Sequence, residues 1–393
     1  MNIRRIATFF LGLLVVLVGV CGVAYVFRAS LIRQVAPSIG VYPPIGPAKQ
    51  IEVTLPDGFG SSIFAEGLSG PRFMTVGPDG TLFVAERSRH QIVALPDRDG
   101  DGRADEQVVV AGEFESPSSL VFRPGTNELY VGETPRVSRL LLDGLSVVER
   151  DIVIPDLPTE RIHQTTTVLF GADGKLYVSV GSSCNVCEEE DARLATVWVY
   201  EADGSNGRAY MVGLRNAVGL ALNAATGEIW ASNNGRDLIG NELPPETVYV
   251  LEDGADAGWP RCHAGDLPDP EFGESPNACD GVAAPAVKMQ AHTAPLGLTF
   301  YDGTAFPADY QGDLFIAFHG SWNRNPPAGY KIVRLPIENG QVAGPLEDFA
   351  TGWLLDNYDS TGRPVDVTVA ADGALLLSDD KGGFIYRIAW QGE

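Results

Sequence analysis

Positive charge is scarce in this chain. Its 393 residues include 28 Lys plus Arg against 51 Asp plus Glu, a formal net charge of -23. Five of the basic residues (Arg4, Arg5, Arg28, Arg33 and Lys49) fall in the first fifty positions, which hold no acid. The remainder therefore carries 23 against 51, or -28. A body that acidic repels phosphate backbones, which argues against general nucleic-acid binding. Helical periodicity is nearly absent beyond the N-terminus. No G-x-G-x-x-G follows a strand and opens a helix, so neither a nicotinamide nor a flavin cofactor is expected. Charged residues make up only 20% and hydrophobic ones 45%, which provides a core and excludes wholesale disorder. Gly (45) and Pro (27) are abundant, as in a chain of many turns.

The long hydrophobic run lies at the start. Arg4 and Arg5 precede an uncharged stretch of 22 residues, Ile6 to Phe27, that Arg28 ends. As a helix it would extend about 33 Å, enough to cross a bilayer core of roughly 30 Å. A secretory signal has a shorter apolar core and a small-residue cleavage site, and no clear A-x-A follows here. Val20 stands before Cys21, where a lipoprotein signal wants a small residue. Residues 1–34 are therefore expected to form an uncleaved transmembrane anchor, with a cleaved signal as the alternative. Both place the body on the periplasmic or extracellular side. Residues 35–50, with Pro37, Pro43, Pro44 and Pro47, read as a spacer.

From residue 51 onward one pattern recurs: a Gly-containing turn, then a short β-rich strand. It appears as Gly77-Pro-Asp-Gly-Thr-Leu-Phe-Val-Ala-Glu, Gly125-Thr-Asn-Glu-Leu-Tyr-Val-Gly-Glu and Gly171-Ala-Asp-Gly-Lys-Leu-Tyr-Val-Ser-Val. It returns as Thr226-Gly-Glu-Ile-Trp-Ala-Ser, Gln311-Gly-Asp-Leu-Phe-Ile-Ala-Phe and Ala371-Asp-Gly-Ala-Leu-Leu-Leu-Ser. Six copies predict an all-β fold, a six-bladed β-propeller over residues 51–393 with one copy in each blade. A pair of β-sandwiches is the alternative, but sandwiches do not require one motif six times. The strand-like segment Ile51–Phe64 is expected to complete the last blade and close the ring. The wide gap between the fourth and fifth copies predicts a long insertion over one face.

Candidate chemistry begins with the few cations. His163 opens the third copy; Arg215 and Asn216 stand in the same relation to the fourth. Arg324 lies in His319-Gly-Ser-Trp-Asn-Arg, and Arg363 precedes the sixth copy. Equivalent points of different blades converge on one mouth of a propeller channel. Several Arg there suggest a polyanionic ligand, because guanidinium pairs with carboxylate in bidentate fashion.

The stretch His163-Gln-Thr-Thr-Thr-Val-Leu-Phe-Gly-Ala-Asp-Gly-Lys-Leu-Tyr-Val-Ser-Val-Gly-Ser-Ser-Cys-Asn-Val-Cys-Glu resembles the soluble quinoprotein sugar dehydrogenases, in particular their sorbosone dehydrogenase-like branch. Gly213-Leu-Arg-Asn, Asn234-Gly-Arg-Asp-Leu-Ile-Gly-Asn-Glu-Leu-Pro-Pro, His292-Thr-Ala-Pro-Leu-Gly-Leu, His319-Gly-Ser-Trp-Asn-Arg and Gly362-Arg-Pro extend the likeness over roughly residues 70 to 390. The resemblance implies a six-bladed propeller that binds pyrroloquinoline quinone and Ca²⁺ and oxidises a sugar aldehyde or hemiacetal for an unidentified electron acceptor. It implies His163 as general base, Arg215 on the quinone oxygens with Asn216 beside it, and Arg324 and Arg363 on the cofactor carboxylates. Backbone carbonyls of Gly235 and Arg236 would ligate Ca²⁺. The chain departs from the sugar-oxidising relatives in Ile162, where they place Asp, and in Val365, where they carry a second Arg. A cofactor-touching glutamine has no clear match near Ser116-Pro-Ser-Ser. Two other readings stay open: a Ca²⁺-dependent lactonase whose metal is lined by Glu86, Asn216 and Asn234, and a non-catalytic binding scaffold.

Two further features stand apart from this site. Four cysteines lie in the body, and disulfides are expected, with Cys184 and Cys187 in one loop and Cys262 and Cys279 flanking a Pro-rich insertion. A zinc site is the alternative. Asp97, Asp99, Asp101 and Asp105 occupy positions 1, 3, 5 and 9 of an EF-hand-like loop, with Gly102 at the sixth, so a second Ca²⁺ site is expected there. Val108 replaces the usual Glu at position 12.

Overall fold

The computed structural model describes residues 52–392. The expected anchor (1–34) and spacer (35–50) lie outside the described residues. Among the described residues no helix is long and apolar enough to cross a membrane.

The repeats do build six four-stranded antiparallel sheets. The inner strands, one per blade in chain order, are Pro71–Val76, Ser119–Phe122, Thr166–Phe170, Ala217–Leu222, Pro295–Phe300 and Pro364–Val369. Each repeated motif is the turn out of an inner strand followed by the second strand of that blade. In the first copy Gly77 N donates to Thr81 O (2.8 Å) and the Asp79 carboxylate accepts from Thr81 N (3.0 Å). The third and sixth copies repeat this with Asp173 to Lys175 N (3.1 Å) and Asp372 to Ala374 N (3.1 Å). A short Asp side chain mimics a backbone turn, which is why Asp-Gly recurs at this place.

Closure comes from the N-terminal end of the body. The strand Phe59–Glu66 pairs antiparallel with Phe384–Trp390 and so supplies the fourth strand of blade 6. The expected closing role holds, with the strand beginning at Phe59 and reaching Glu66. Closure gives blade 6 the same four strands as the other five.

Adjacent blades press together at one small residue per second strand. Ala85, Gly132, Ser179, Ser232, Ala317 and Ser378 hold equivalent places in the six motifs. The hydroxyls of Ser232 and Ser378 donate to the next inner strand at Leu296 O (2.5 Å) and Arg72 O (2.8 Å), and Ser179 donates likewise to Ala217 O. A carbon added to Gly132 would fall 2.3 Å from Thr166 O, so only glycine allows that approach. Either side of these contacts the core divides into six apolar clusters, one per blade interface. Blades 4 and 5, for example, meet through Trp230, Val248, Leu298 and Phe318. Each such side chain contributes about 1.5–3 kcal/mol by leaving water.

Inner strands start, and second strands end, at the same mouth of the channel. Loops there are short in blades 1, 2 and 6 but long in blades 3, 4 and 5, which wall one side. The expected insertion lies between Glu246–Val250 and Val287–Met289 of blade 4. It carries the Cys262–Cys279 disulfide and climbs back to this mouth, where Trp259 N donates to Gly213 O (3.2 Å). The second bridge, Cys184–Cys187, closes a loop of blade 3. Both expected disulfides are present, and the zinc alternative is thereby set aside.

Candidate functional site at the mouth of the channel

His163, Arg215 and Asn216 are brought together because each precedes or begins an inner strand, in blades 3 and 4. The His163 ring is partly buried. Its Nδ1 lies 2.8 Å from Ser182 Oγ, while its backbone N donates to Ser182 O (3.3 Å). Burial, and then the positive charge of Arg215, hold this imidazole well below its ordinary pKa. Arg161 adds to that push. Arg161 is itself buried and, among the described residues, has no carboxylate partner, donating to Thr134 O (3.2 Å), Thr165 O (3.2 Å) and Thr166 Oγ1 (2.5 Å). Its own pKa is brought down by burial to about 10.

Arg215 is a clamp between blades. Its Nε donates to Asn185 O (2.9 Å), its Nη1 to Asn234 O (3.3 Å) and Gly235 O (2.6 Å). Its Nη2 donates to Asn185 Oδ1 (2.8 Å) and Asp237 Oδ2 (2.8 Å). All five guanidinium donors thus have protein acceptors, and the side chain is 3% exposed. The Gly235 carbonyl assigned to Ca²⁺ faces this cation. Arg236 turns its guanidinium away, to Asp269 (2.5 Å) and to Glu271.

Gly181 packs tightly against this pair: a carbon added there would fall 2.5 Å from His163 Cβ and 2.8 Å from Asn216 Oδ1, so only glycine admits their close approach. Among the described residues Asn216 Oδ1 is buried with no hydrogen-bond partner, as is Asn323 Oδ1. Asn323 reaches the same cluster by donating to Asp237 Oδ1 (2.7 Å). Unpartnered buried acceptors are uncommon and mark places where a ligand or water completes the network.

The other sequence-selected residues divide. Arg363 reaches the mouth from blade 6, donating through Nε to His319 O (3.1 Å) and through Nη2 to Gly320 O (2.6 Å). It stands beside a buried network in which Asp380 accepts from Arg72 (2.8 Å) and contacts His319 Nε2 (3.0 Å). Arg324 holds Asn241 O and Glu242 of the blade 4 loop (Nη2 to Oε1, 2.6 Å). Glu86, weighed for a lactonase metal, is bound to Ser69 N (2.6 Å), Arg89 (3.1 Å) and Gln91 (2.5 Å) within blade 1. Among the described contacts, none joins Glu86 to Asn216 or Asn234.

Asp97, Asp99 and Asp101 do gather their carboxylates within 4.8 Å of one another. Asp97 accepts from Gly100 N and Gly102 N (2.9 Å each), and Asp105 Oδ2 accepts from Arg98 N (2.8 Å). The loop joins the third and fourth strands of blade 1, at the end of the propeller opposite His163. A cavity of about 380 Å³ opens at that opposite end, lined by Leu222, Phe300, Gln311 and Thr368 among others. It is not the His163 site.

Residues that the sequence reading passed over are Ser182, Asn185, Asp237, Asn323 and the Arg72–Asp380 pair. Most lie just after a second strand, at the same mouth as the residues before the inner strands. Polar residues trailing each repeat (Ser182, Asp237, His319, Asp380) were the available signal.

The fold and site together define the class: a six-bladed propeller with an imidazole, a buried guanidinium and unpartnered amide oxygens at one mouth. The TrAA12-like family model matches residues 53–254 and 268–391, and the chain belongs to that family. Its relatives include an uncharacterized protein of Borreliella burgdorferi, 27% identical over 88% of this chain and 93% of that protein. Another is the pyrroloquinoline quinone-dependent pyranose dehydrogenase of Coprinopsis cinerea, 25% identical over 88% of this chain. The match spans 56% of that longer relative. The holo form of the quinone domain of Coprinopsis cinerea pyranose dehydrogenase shares the fold, with a TM-score of 0.75 at 23% identity over 88% of this chain and 99% of that one. The likeness to quinoprotein sugar dehydrogenases read from the sequence thus holds at the level of the family.

Proposed function

We propose that the chain is a quinoprotein dehydrogenase that oxidises a sugar hemiacetal or aldehyde at the His163 mouth. The observation that carries this reading is the meeting of His163, Arg215 and the unpartnered Asn216 Oδ1 around Gly181 at one mouth of the channel. The residues present fit pyrroloquinoline quinone, a planar polyanion with carbonyl oxygens. Asn216 and Asn323 offer amide groups, Arg363 offers a guanidinium that no carboxylate pairs with among the described residues, and Arg215 supplies positive charge from behind. When bound, the quinone supplies a hydride acceptor. His163, held neutral by burial and by Arg215, takes the hydroxyl proton of the substrate at Nε2. The fixed cations at Arg215 and Arg363 stabilise negative charge developing at the mouth without reorganising.

Ca²⁺ enters no step of this reading; the Gly235 carbonyl assigned to it accepts from Arg215 Nη1 (2.6 Å). We place the body in an oxidising compartment, on the periplasmic or extracellular side, which its two disulfides favour. The test is an absorption spectrum and a dye-linked activity screen across pyranoses and aldoses after incubation with the quinone, with and without Ca²⁺. Sugar-dependent dye reduction that requires the quinone supports the reading. Lactone hydrolysis without quinone, or no quinone uptake, removes it.

A further inference from the structure

We infer that Ser182 is a positioning residue that fixes the tautomer of His163, acting through the loop that the Cys184–Cys187 disulfide closes. The argument is a count of hydrogens. Ser182 is fully buried, and its Oγ lies 2.7 Å from Cys184 O and 2.8 Å from His163 Nδ1. A carbonyl oxygen cannot donate, so the hydrogen between Oγ and Cys184 O belongs to the serine. The serine has no second hydrogen. Its Oγ must therefore accept from His163, which places the proton on Nδ1 and leaves the Nε2 lone pair without a proton. The reverse arrangement would leave two acceptor oxygens facing each other at 2.7 Å with no hydrogen between them.

The loop is built to hold that carbonyl still. The disulfide spans Cys184 to Cys187, and Asn185 inside it is gripped by Arg215 at two atoms and by Asp237 N (2.9 Å). Asn185 Nδ2 donates to Asp237 O (3.0 Å), and Ser183 binds the Glu189 carboxylate through N (2.8 Å) and Oγ (2.6 Å). Ser182 N also donates to Arg215 O (2.8 Å), so one residue ties the backbone ahead of both inner strands. A base that must take a proton at Nε2 requires the neutral ring to carry its hydrogen at Nδ1, and which nitrogen carries it is set by the bond at the other. Many histidines donate this bond to a carboxylate, which would raise basicity. A serine hydroxyl orients the ring without adding negative charge.

This inference rests on the proposed base role of His163 only for its kinetic consequence; the tautomer itself is measured independently. Full-chain protein labelled with ¹⁵N-histidine is examined at neutral pH by two-dimensional multiple-bond ¹H–¹⁵N correlation, with His163→Gln identifying the resonance. The wild type should show the Nδ1–H pattern, and Ser182→Ala should bring in the Nε2–H pattern. If Ser182→Ala does not fold, Ser182→Cys keeps the volume but offers a weak acceptor and should show the same mixture. An Nε2–H pattern in the wild type, or an unchanged Nδ1–H pattern in a folded Ser182 variant, overturns the inference. If quinone-linked activity is found, Ser182→Ala should lower kcat about tenfold or more with little change in KM. Absence of any such activity would count against the proposed reaction and leave the tautomer result standing.

Discussion

Replacing Arg215 with Met tests whether this guanidinium is part of the frame. Met approximates the length of the side chain and removes the charge and all five donors. Left behind are Asn185 O, Asn185 Oδ1, Asn234 O, Gly235 O and a carboxylate oxygen of Asp237, beneath a side chain only 3% exposed. Breaking a buried ion pair by removing one partner costs about 3–5 kcal/mol. The remaining acceptors are partly rehydrated as the loop relaxes, so about 4 kcal/mol is a fair expectation for the whole change. With an unfolding entropy of roughly 2 cal/mol/K per residue over roughly 340 residues, that corresponds to a Tm lowered by about 6 °C. The assay is calorimetry on protein without quinone, at matched pH and salt. A residue whose role is confined to the cofactor would leave this Tm unmoved. A variant that melts within about 1 °C of wild type would refute the clamp and the energetics derived from it.

Three further outcomes follow from particular groups. Burial and Arg215 keep His163 neutral below its ordinary 6.5, so the kcat/KM of a quinone-linked reaction should stay flat as pH falls through that value and decline only further into acid; a midpoint at or above 6.5 contradicts this. Burial raises Glu246 to about 8, so the folded protein keeps a proton that the unfolded chain releases near its ordinary 4.5; Tm should fall as pH rises between those values, and Glu246→Gln, which mimics the protonated form and can still accept from Gly235 N, should flatten the decline in a Tm-versus-pH series. Asp99→Ala with Asp101→Ala should abolish any Ca²⁺-dependent rise in Tm while leaving quinone binding unchanged, because the loop lies at the far end of the propeller from His163; unchanged calcium stoichiometry by titration would show that the loop binds no metal.

The ring was legible because its cause is local and repeated. Each copy carries its own turn, restrained by Asp79, Asp173 and Asp372 in the first, third and sixth copies and by Thr126 and Thr226 in the second and fourth, and its own small residue where the next blade presses in. The closing strand was legible as a segment left over before the first copy. At the mouth, His163, Arg215 and Asn216 were visible because each stands just ahead of an inner strand, so a fixed offset from the repeat locates them. Their partners were hidden for a physical reason. Arg72 and Asp380 touch across 308 positions because closure brings the first and last blades together, and no local pattern announces that. Asp237 and Asn323 are joined across 86 positions by the walls of two different loops. The sequence also suggested Arg324 as a cofactor cation, by its position and by the family resemblance. The acids available to a cation decide its use, and Glu242, 82 positions earlier, takes that one.

The central claim is that His163 is the proton acceptor of a quinone-linked oxidation. Its most direct test is reductive single turnover: protein loaded with pyrroloquinoline quinone is mixed with a pyranose in a stopped-flow spectrophotometer, and the quinone absorbance is followed in wild type and His163→Ala. The account predicts equal quinone loading in the two proteins and a bleaching rate lowered about 10²-fold or more in the variant. Equal bleaching rates, or a wild type that takes up quinone and is reduced by no sugar, would contradict it.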